Sequence, residues 1–340
     1  MKARRTTILA ALAATIVAGV LVGAGSAGTT GISSGNIVFA GLDPADGMSD
    51  IYVMKSDGTD KSNITHDDLV RKDVTPAWSP DGRKVVFTRA NPTGGSNIML
   101  VNADGSGLTN LTPAASDAAN VDPSWSPDGT RIVFASNRDG NFDLYWLKLG
   151  GTEVSRLTKT LAPVQNLDPS WAPSGKAIVF SRSGHRALSS SSELFQLRIE
   201  TLEAFRLTKT ISGRGDRGAV YSPDGTQVAF YSDRSGNQDV YLLTLGSGYA
   251  QQLTTSPKND AEPSFAPDGT ALVFVSNRSG ATELWAANLI SASAGNPATQ
   301  LTFDKQYKSH PGWGLAQAQP SPIDPPAPVP ALASPARSGS

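Results

Sequence analysis

The feature that most constrains the fold of this chain is an internal repeat. Its clearest unit has DPSWSPDG at residues 122–129, IVF at 132–134, DLYW at 143–146 and RLT at 156–158. The aromatic residue of the first segment recurs at intervals of 47, 46, 50, 44 and 48 residues, and a Leu-Thr or Ile-Thr pair closes each unit. Self-similarity at a fixed period of this length is typical of repeat architectures. The recurring aromatic residues are Trp78, Trp125, Trp171, Tyr221, Phe265 and Trp313.

Each unit is predicted to contain four short strands. The first carries the Pro-x-aromatic sequence, and SPDG then favours a turn because Pro fixes φ, Asp suits the third position and Gly accepts a positive φ. The second strand is rich in β-branched residues and Phe, as at residues 84–87 (KVVF). A polar turn leads to a third strand, and the fourth is expected to end in Leu-Thr. Four strands in 44 to 50 residues indicate the blade of a β-propeller.

The two ends of the repeat region complement each other. The first unit opens with a second strand at residues 36–39 (NIVF), whereas the last repeat residues, 310–313 (HPGW), form a first strand. We therefore expect the last strand to complete blade one, which closes the ring and removes exposed sheet edges. Residues 36–314 allow about 46 residues for each of six blades. The sequence predicts an all-β, six-bladed propeller of four-stranded blades, closed by a C-terminal strand.

The segments outside the repeats are not expected to belong to the propeller. Residues 1–27 have the composition of an export signal, with basic residues before a 15-residue apolar run and small residues that suit cleavage. We expect cleavage rather than anchoring, because 15 helical residues fall short of a membrane core. Residues 28–35 form a short linker, and residues 315–340, with seven Pro, are expected to be a disordered tail. The predicted location is periplasmic or extracellular, with no membrane span in the mature chain.

The composition excludes several classes of protein. With 29 basic and 30 acidic residues, the chain lacks the basic footprint of a nucleic-acid-binding protein. The absence of Cys excludes disulfides, thiolate metal sites and a Cys nucleophile. The three histidines lack metal-binding spacing, and residues 137–148 depart from a calcium-binding loop at its sixth and twelfth positions. We therefore predict no metal site, no cofactor and no assembled set of catalytic residues.

The motifs together resemble a known family. WSPDG followed by IVF, SNRxG, an acidic-aliphatic-aromatic triplet and Leu-Thr is similar to the WD-like repeats of the TolB β-propeller family. The resemblance spans residues 36–314 and implies a six-bladed propeller. TolB itself carries a separate α/β domain before its propeller, whereas only residues 28–35 lie between the predicted signal and blade one in this sequence.

Strand direction predicts which residues surround the mouth of the central channel. Loops from each fourth strand to the next blade share one face with the second-to-third turns, and the SPDG turns lie on the opposite face. The first of these faces gathers residues three and five positions before each repeating aromatic, together with an Arg from several turns. The candidate ligand-binding residues are Asp122, Asp168, Glu262, His310, Asp73, Asp216, Asp260, Arg138, Arg234 and Arg278.

The predicted mouth supports more than one interpretation. A ring of acids would attract a cation, an amine or a basic peptide segment. Alternatively, an Asp one residue before Pro caps its own turn or pairs with an Arg on a neighbouring blade. We predict an exported, non-catalytic and monomeric binding or scaffold propeller whose partner is a protein or a cell-envelope glycan. The alternatives are a carbohydrate-active lyase or hydrolase that uses two mouth carboxyls, and a ring that only spaces the Pro-rich tail from the envelope.

Overall fold

The computed structural model describes residues 34–315 apart from 45, 67–70, 93, 114–116, 185–190, 211–212 and 291–297. The described residues form six four-stranded antiparallel sheets, which confirms the predicted all-β six-bladed propeller. The predicted signal peptide, most of the linker and all but the first residue of the Pro-rich tail lie outside the described residues. No helix in the described part of the chain is long and apolar enough to cross a membrane.

The first three blades each combine three long strands with a short fourth one. Blade one consists of β1 (Asn36–Leu42), β2 (Ser49–Lys55), β3 (Ser62–Asn63) and the last strand, β24 (Lys308–Gly314). Blade two consists of β4 (Asp73–Trp78), β5 (Lys84–Ala90), β6 (Ser96–Asn102) and β7 (Thr109–Asn110). Blade three consists of β8 (Asn120–Trp125), β9 (Arg131–Ser136), β10 (Asp143–Lys148) and β11 (Val154–Arg156).

The other three blades repeat the same strand order. Blade four consists of β12 (Gln165–Trp171), β13 (Ala177–Ser183), β14 (Ser192–Arg198) and β15 (Ala204–Arg206). Blade five consists of β16 (Asp216–Tyr221), β17 (Gln227–Ser232), β18 (Asp239–Thr244) and β19 (Tyr249–Gln252). Blade six consists of β20 (Asp260–Phe265), β21 (Ala271–Ser276), β22 (Glu283–Asn288) and β23 (Thr299–Gln300).

Ring closure follows the prediction. Strand β24 pairs antiparallel with β1, so that Trp313 lies opposite Ile37. Both side chains are buried in a cluster that also contains Val273 and Leu284 of blade six. The last strand therefore pairs within blade one and packs against blade six, which removes the open sheet edges.

The core consists of layers between neighbouring blades. Each second strand contributes one Phe that is at most 1% exposed, and burial of such a side chain stabilises the fold by about 1.5 to 3 kcal/mol. The recurring aromatic residues of the first strands are also buried, and Trp171, for example, packs with Val133 and Leu144 of the preceding blade. The six phenylalanines are Phe39, Phe87, Phe134, Phe180, Phe230 and Phe274.

The SPDG segments form the predicted turns. In blade two the Gly82 N–H donates to the Ser79 carbonyl at 2.9 Å, and Gly82 has a φ of 69°. The Ser79 hydroxyl also donates to the Asp81 carboxylate at 2.6 Å. Gly is favoured at the last position of this turn because a side chain there would be strained.

The prediction that the fourth strand ends in Leu-Thr is wrong by one or two residues. In blade three, β11 ends at Arg156, and Leu157 and Thr158 follow it. The Leu144 N–H of the third strand donates to the Thr158 hydroxyl at 2.9 Å, so that a side-chain oxygen replaces the next carbonyl of the ladder. A Thr hydroxyl that takes over a ladder acceptor in this way ends the strand while its partner N–H stays satisfied.

Candidate functional site at the central channel

The innermost strand of each blade contains a β-bulge at the channel. In β4, β8, β12, β16 and β20 the pairing register shifts across two unpaired residues, for example between Val74 and Ala77. One residue at each shift, and its counterpart in β24, adopts a left-handed φ between 49° and 59°. A bulge redirects the side chain that it carries. These six residues, called the inner ring below, are Thr75, Asp122, Asp168, Gly218, Glu262 and His310.

A cavity of about 540 Å³ occupies the centre of the propeller. The inner ring lines it, and so do residues further along the same strands as far as Pro80, Pro223 and Pro267 in the SPDG-type turns. It therefore extends from the inner ring towards the face of those turns. Asp73 and Asp216, two residues before the inner ring, do not line it. The lining residues thus lie between the inner ring and the face of the SPDG turns.

The walls of this cavity are mostly apolar. Trp78, Tyr221, Phe265 and Trp313 line it, together with the Pro that follows the inner-ring residue in five of the six blades. Tyr231 fills the space beside Gly218, where a Cβ atom would lie 2.6 Å from Tyr231 Cε1. Sequence reasoning missed this wall, although the Pro-x-aromatic repeat was a signal for it.

The carboxylates of the inner ring link successive blades. Asp122 accepts a hydrogen bond from the Asp168 N–H at 3.4 Å, and Asp168 accepts one from the Gly218 N–H at 3.3 Å. Glu262 accepts a hydrogen bond from the His310 N–H at 2.6 Å, and His310 Nε2 lies 3.4 Å from Glu262 Oε1. The structure therefore brings together all four inner-ring residues that the sequence identifies as candidates.

The inner ring has a negative electrostatic character. Burial raises the pKa of Asp122 to about 7, repulsion from Asp168 and Glu262 adds to this shift, and His310 opposes it. Burial and the charges of Asp168 and Glu262 also raise the pKa of Tyr231. Near neutral pH the Asp122 carboxyl therefore exchanges a proton at this end of the cavity.

Each of the other six candidate residues belongs to a pair that joins the position two residues before the inner ring to an Arg at or just after the end of the second strand. Arg234 contacts Asp216 at 2.6 Å, and Arg278 contacts Asp260 at 2.6 Å. The same arrangement joins Arg89 to Asp73 at 2.6 Å and Arg138 to Asn120 at 2.7 Å.

Each of these pairs lies within one blade. The carboxyls of Asp73, Asp216 and Asp260 are at most 2% exposed, whereas Arg234 and Arg278 keep 29% and 22% of their side chains exposed. The guanidinium groups also lie over aromatic rings, as Arg278 does over Trp285 at 4.8 Å. The acids of these pairs are buried structural groups; Arg234 and Arg278 reach the surface, whereas Arg89 is buried.

The fold and this site define a class of protein: a closed six-bladed propeller with an acidic ring at one end of an apolar central cavity. The chain belongs to the TolB β-propeller family, because a family model described as the TolB beta propeller domain matches residues 69–211 and 189–318. The resemblance drawn from the repeat motifs is therefore confirmed. No curated protein matches this sequence.

Solved structures with the same fold include proteins of different activities. TolB from Acinetobacter baumannii is 21% identical with a TM-score of 0.69, and the match covers 83% of this chain and 67% of that one. A chain of the Nidogen/Laminin complex is 11% identical with a TM-score of 0.62, covering 83% and 99%. An oligogalacturonate lyase in complex with manganese is 15% identical with a TM-score of 0.54, covering 76% and 72%. At these identities the likeness extends to the fold alone.

Proposed function

We propose that this chain is an exported, non-catalytic binding propeller that holds a segment of a partner protein in its central cavity. The observation that carries the proposal is the position of Asp122, Asp168 and Glu262 at one end of an apolar cavity of about 540 Å³. A basic side chain of the partner would meet these carboxylates while its neighbours pack on the aromatic and Pro walls.

The dimensions and chemistry of the cavity suit this role. Binding sites commonly have volumes of about 300 to 1,000 Å³, with apolar walls and a few convergent polar groups. The walls supply buried apolar area, and the acidic ring favours cationic over anionic groups by charge complementarity. The closed ring of blades holds these groups in place before binding, which lowers the entropic cost of association.

The comparisons support a binding role without assigning a partner. One structural neighbour is a propeller in the Nidogen/Laminin complex, so this fold serves protein association there. Export is supported by the predicted signal at residues 1–27, which precedes the described residues. A cell-envelope glycan is the other partner class that the acidic ring and apolar walls would accommodate.

The test has two stages. Tagged mature chain first captures partners from the native cell envelope, and mass spectrometry identifies them. Calorimetry with the purified partner then compares the wild type with the triple variant Asp122→Asn, Asp168→Asn and Glu262→Gln. The control variant replaces three exposed acids outside the cavity, Glu153, Glu200 and Glu203, with Gln.

We expect the inner-ring variant to bind the partner at least about tenfold more weakly, because it loses the charge complementarity, and the control variant to bind as the wild type does. Equal affinity of the wild type and a folded inner-ring variant would reject the cavity as the binding site. Circular dichroism of each variant separates loss of binding from loss of structure.

A carbohydrate-active function is the second candidate. It is favoured by the likeness to an oligogalacturonate lyase in complex with manganese and by the adjacent carboxyls of Asp122 and Asp168. Incubation with polygalacturonate, with and without Mn²⁺, tests it directly. Product formation that disappears in Asp122→Asn would replace the binding proposal with this one.

A further inference from the structure

Blade three shows how one cation holds two neighbouring carboxylates. Arg156 contacts Asp139 Oδ2 at 3.0 Å through Nη1 and Asp143 Oδ2 at 2.5 Å through Nη2. The Tyr145 hydroxyl donates to the same Asp139 oxygen at 2.6 Å, and Tyr145 lies opposite Arg156 in the strand pairing. The guanidinium therefore neutralises an acidic pair at the end of this blade.

Blade one has an equivalent acidic pair, with Asn63 at the position of Arg156. Asn63 occupies the position of Arg156, because it lies opposite Tyr52 as Arg156 lies opposite Tyr145. The Asn63 amide donates to Asp43 Oδ2 at 3.1 Å and to Asp50 Oδ2 at 2.7 Å. The Tyr52 hydroxyl lies 3.4 Å from the same Asp43 oxygen. A neutral amide thus bridges the two carboxylates of blade one, whereas a guanidinium bridges the equivalent pair in blade three.

A histidine completes this cluster. His66 Nδ1 lies 3.5 Å from Asp43 Oδ2 and 3.9 Å from Asp50 Oδ2, and the three candidate ligand atoms all lie within 4.8 Å of one another. Metal–ligand distances of about 2.0 to 2.2 Å place two ligands of a tetrahedral ion about 3.3 to 3.6 Å apart. The two His66 separations lie at or within a few tenths of an ångström of this range, and the Asp43 and Asp50 oxygens lie within 4.8 Å of each other.

We propose that Asp43, Asp50 and His66 bind a divalent transition-metal ion beside the Asn63 amide, with Zn²⁺ as the best fit, as the counterpart of the Arg156 cation in blade three. Two carboxylates and one imidazole are a donor set for Zn²⁺ or Mn²⁺, whereas Ca²⁺ and Mg²⁺ prefer oxygen ligands alone. His66 is 54% exposed, so the ion can enter from solvent and keep a water ligand.

The surroundings of the cluster agree with a bound cation. Asp43 and Asp50 are only 8% and 7% exposed, so the two carboxylates are held close together in a largely buried position. Asn63 Oδ1 accepts from the Thr65 N–H at 3.1 Å, so the amide group is oriented with its NH₂ towards the carboxylates. Asn63 would then stay as a donor that positions the two ligands.

Histidine spacing could not have indicated this site. Asp43 follows β1, Asp50 lies in β2 and His66 follows β3, so only the sheet brings the three side chains together. The expectation of no metal site rested on ligand spacing along the chain. Such spacing does not reveal ligands that lie in or next to three different strands.

Calorimetric titration with Zn²⁺, and separately with Mn²⁺, tests the proposal. The full chain is used after removal of its tag and treatment with EDTA. Asp50→Asn and His66→Ala each remove a ligand, and Asn63→Arg introduces the guanidinium of blade three at the matching position. Asp139→Asn is the control, because it removes one acid of the equivalent pair that Arg156 already neutralises.

We expect one Zn²⁺ per chain in the wild type and in Asp139→Asn, and at least about tenfold weaker binding in the three site variants. Zn²⁺ should also raise the Tm of the wild type, and it should not raise that of Asn63→Arg, which keeps a cation at the cluster without metal. The absence of saturable Zn²⁺ or Mn²⁺ binding by the folded wild type overturns the proposal. Binding that persists in both His66→Ala and Asn63→Arg also overturns it, since the ion would then sit elsewhere.

Discussion

The Lys308 ammonium lies 3.0 Å from the Glu283 carboxylate, and both side chains are only 1% exposed. Glu283 begins β22 in blade six, whereas Lys308 begins β24 in blade one. The ion pair therefore crosses the joint at which the ring closes. Asp304 also pairs with Lys308, and it binds Lys61 of blade one at 2.6 Å. A buried ion pair therefore stabilises the joint in addition to strand pairing.

Lys308→Met is expected to destabilise the propeller by about 3 to 5 kcal/mol, because it leaves the buried Glu283 carboxylate without its cation. Urea unfolding followed by tryptophan fluorescence measures the change. The double variant Lys308→Met with Glu283→Gln should recover part of the loss, since it removes the uncompensated charge as well. A loss below about 1 kcal/mol in the single variant would show that strand pairing alone closes the ring.

Arg234→Met should destabilise the chain by about 1 to 3 kcal/mol, less than a fully buried pair would, because Arg234 is 29% exposed while Asp216 is buried. The affinity of this variant for a partner in the central cavity should not change, since Asp216 does not line that cavity. Thermal unfolding and calorimetry on one preparation separate the two effects. Weaker partner binding with unchanged stability would instead give Arg234 a place in the ligand site.

Asp122→Asn is expected to change how stability depends on pH. The folded chain raises the pKa of this carboxyl from 3.8 to about 7, chiefly through burial. Between about pH 4 and pH 7 the folded chain thus retains a proton that the unfolded chain has released, so the free energy of unfolding falls as pH rises through this window. Asn cannot ionise, and the variant should have a flatter profile and a Tm a few degrees higher at pH 8.

Asp128→Asn gives the opposite control for the pH profile. Hydrogen bonds from Ser126 and Thr130 lower the pKa of Asp128 to about 2 in its SPDG turn. The stability contributed by Asp128 is therefore present above about pH 4 and lost as pH falls towards 2. Both variants are followed by thermal unfolding from pH 3 to pH 8. A slope between pH 4 and pH 7 that survives in Asp122→Asn would assign the titration to another group.

Gly218→Ala should cost about 2 to 4 kcal/mol, because the new Cβ combines a left-handed backbone with a clash against a packed ring. Gly218 has a φ of 59°, and the added carbon would lie 2.6 Å from Tyr231 Cε1. Gly213→Ala is the matched control, since Gly213 has a φ of 81° but no atom within 4 Å of the added carbon. Chemical denaturation of the two variants separates backbone strain from the clash, and equal costs would contradict the packing argument.

The blade count, the strand order and the closure were predictable from the sequence because each depends on local preferences that recur from blade to blade. The Pro-x-aromatic sequence and the SPDG turn indicate those preferences directly, and both are found where expected. The Thr of the closing pair was less informative, since its hydroxyl accepts a ladder hydrogen bond only once the third strand lies beside it.

The inner ring was predictable as a set of positions but not as a geometry. Nothing in the sequence at Thr75 or Glu262 indicates a left-handed backbone. β-Branched residues such as Thr75 avoid this conformation in particular. The pairing of Asp216 with Arg234 depends on a turn of unknown shape, and the cavity depends on how far six strands stand apart. Both features depend on distances between structural elements, and local sequence patterns do not determine those distances.

The pairing of β1 with β24 has a consequence for how the protein is made. β1 is the first strand of the propeller to be synthesised and β24 is the last, so blade one stays incomplete until synthesis of the whole ring has finished. Pairing across such a long sequence separation is slow, because a large loop must close before the contact forms. During that interval β1 presents an unpaired edge. The edge is protected from pairing with other chains only once β24 has joined it, so its exposure depends on how fast the ring closes.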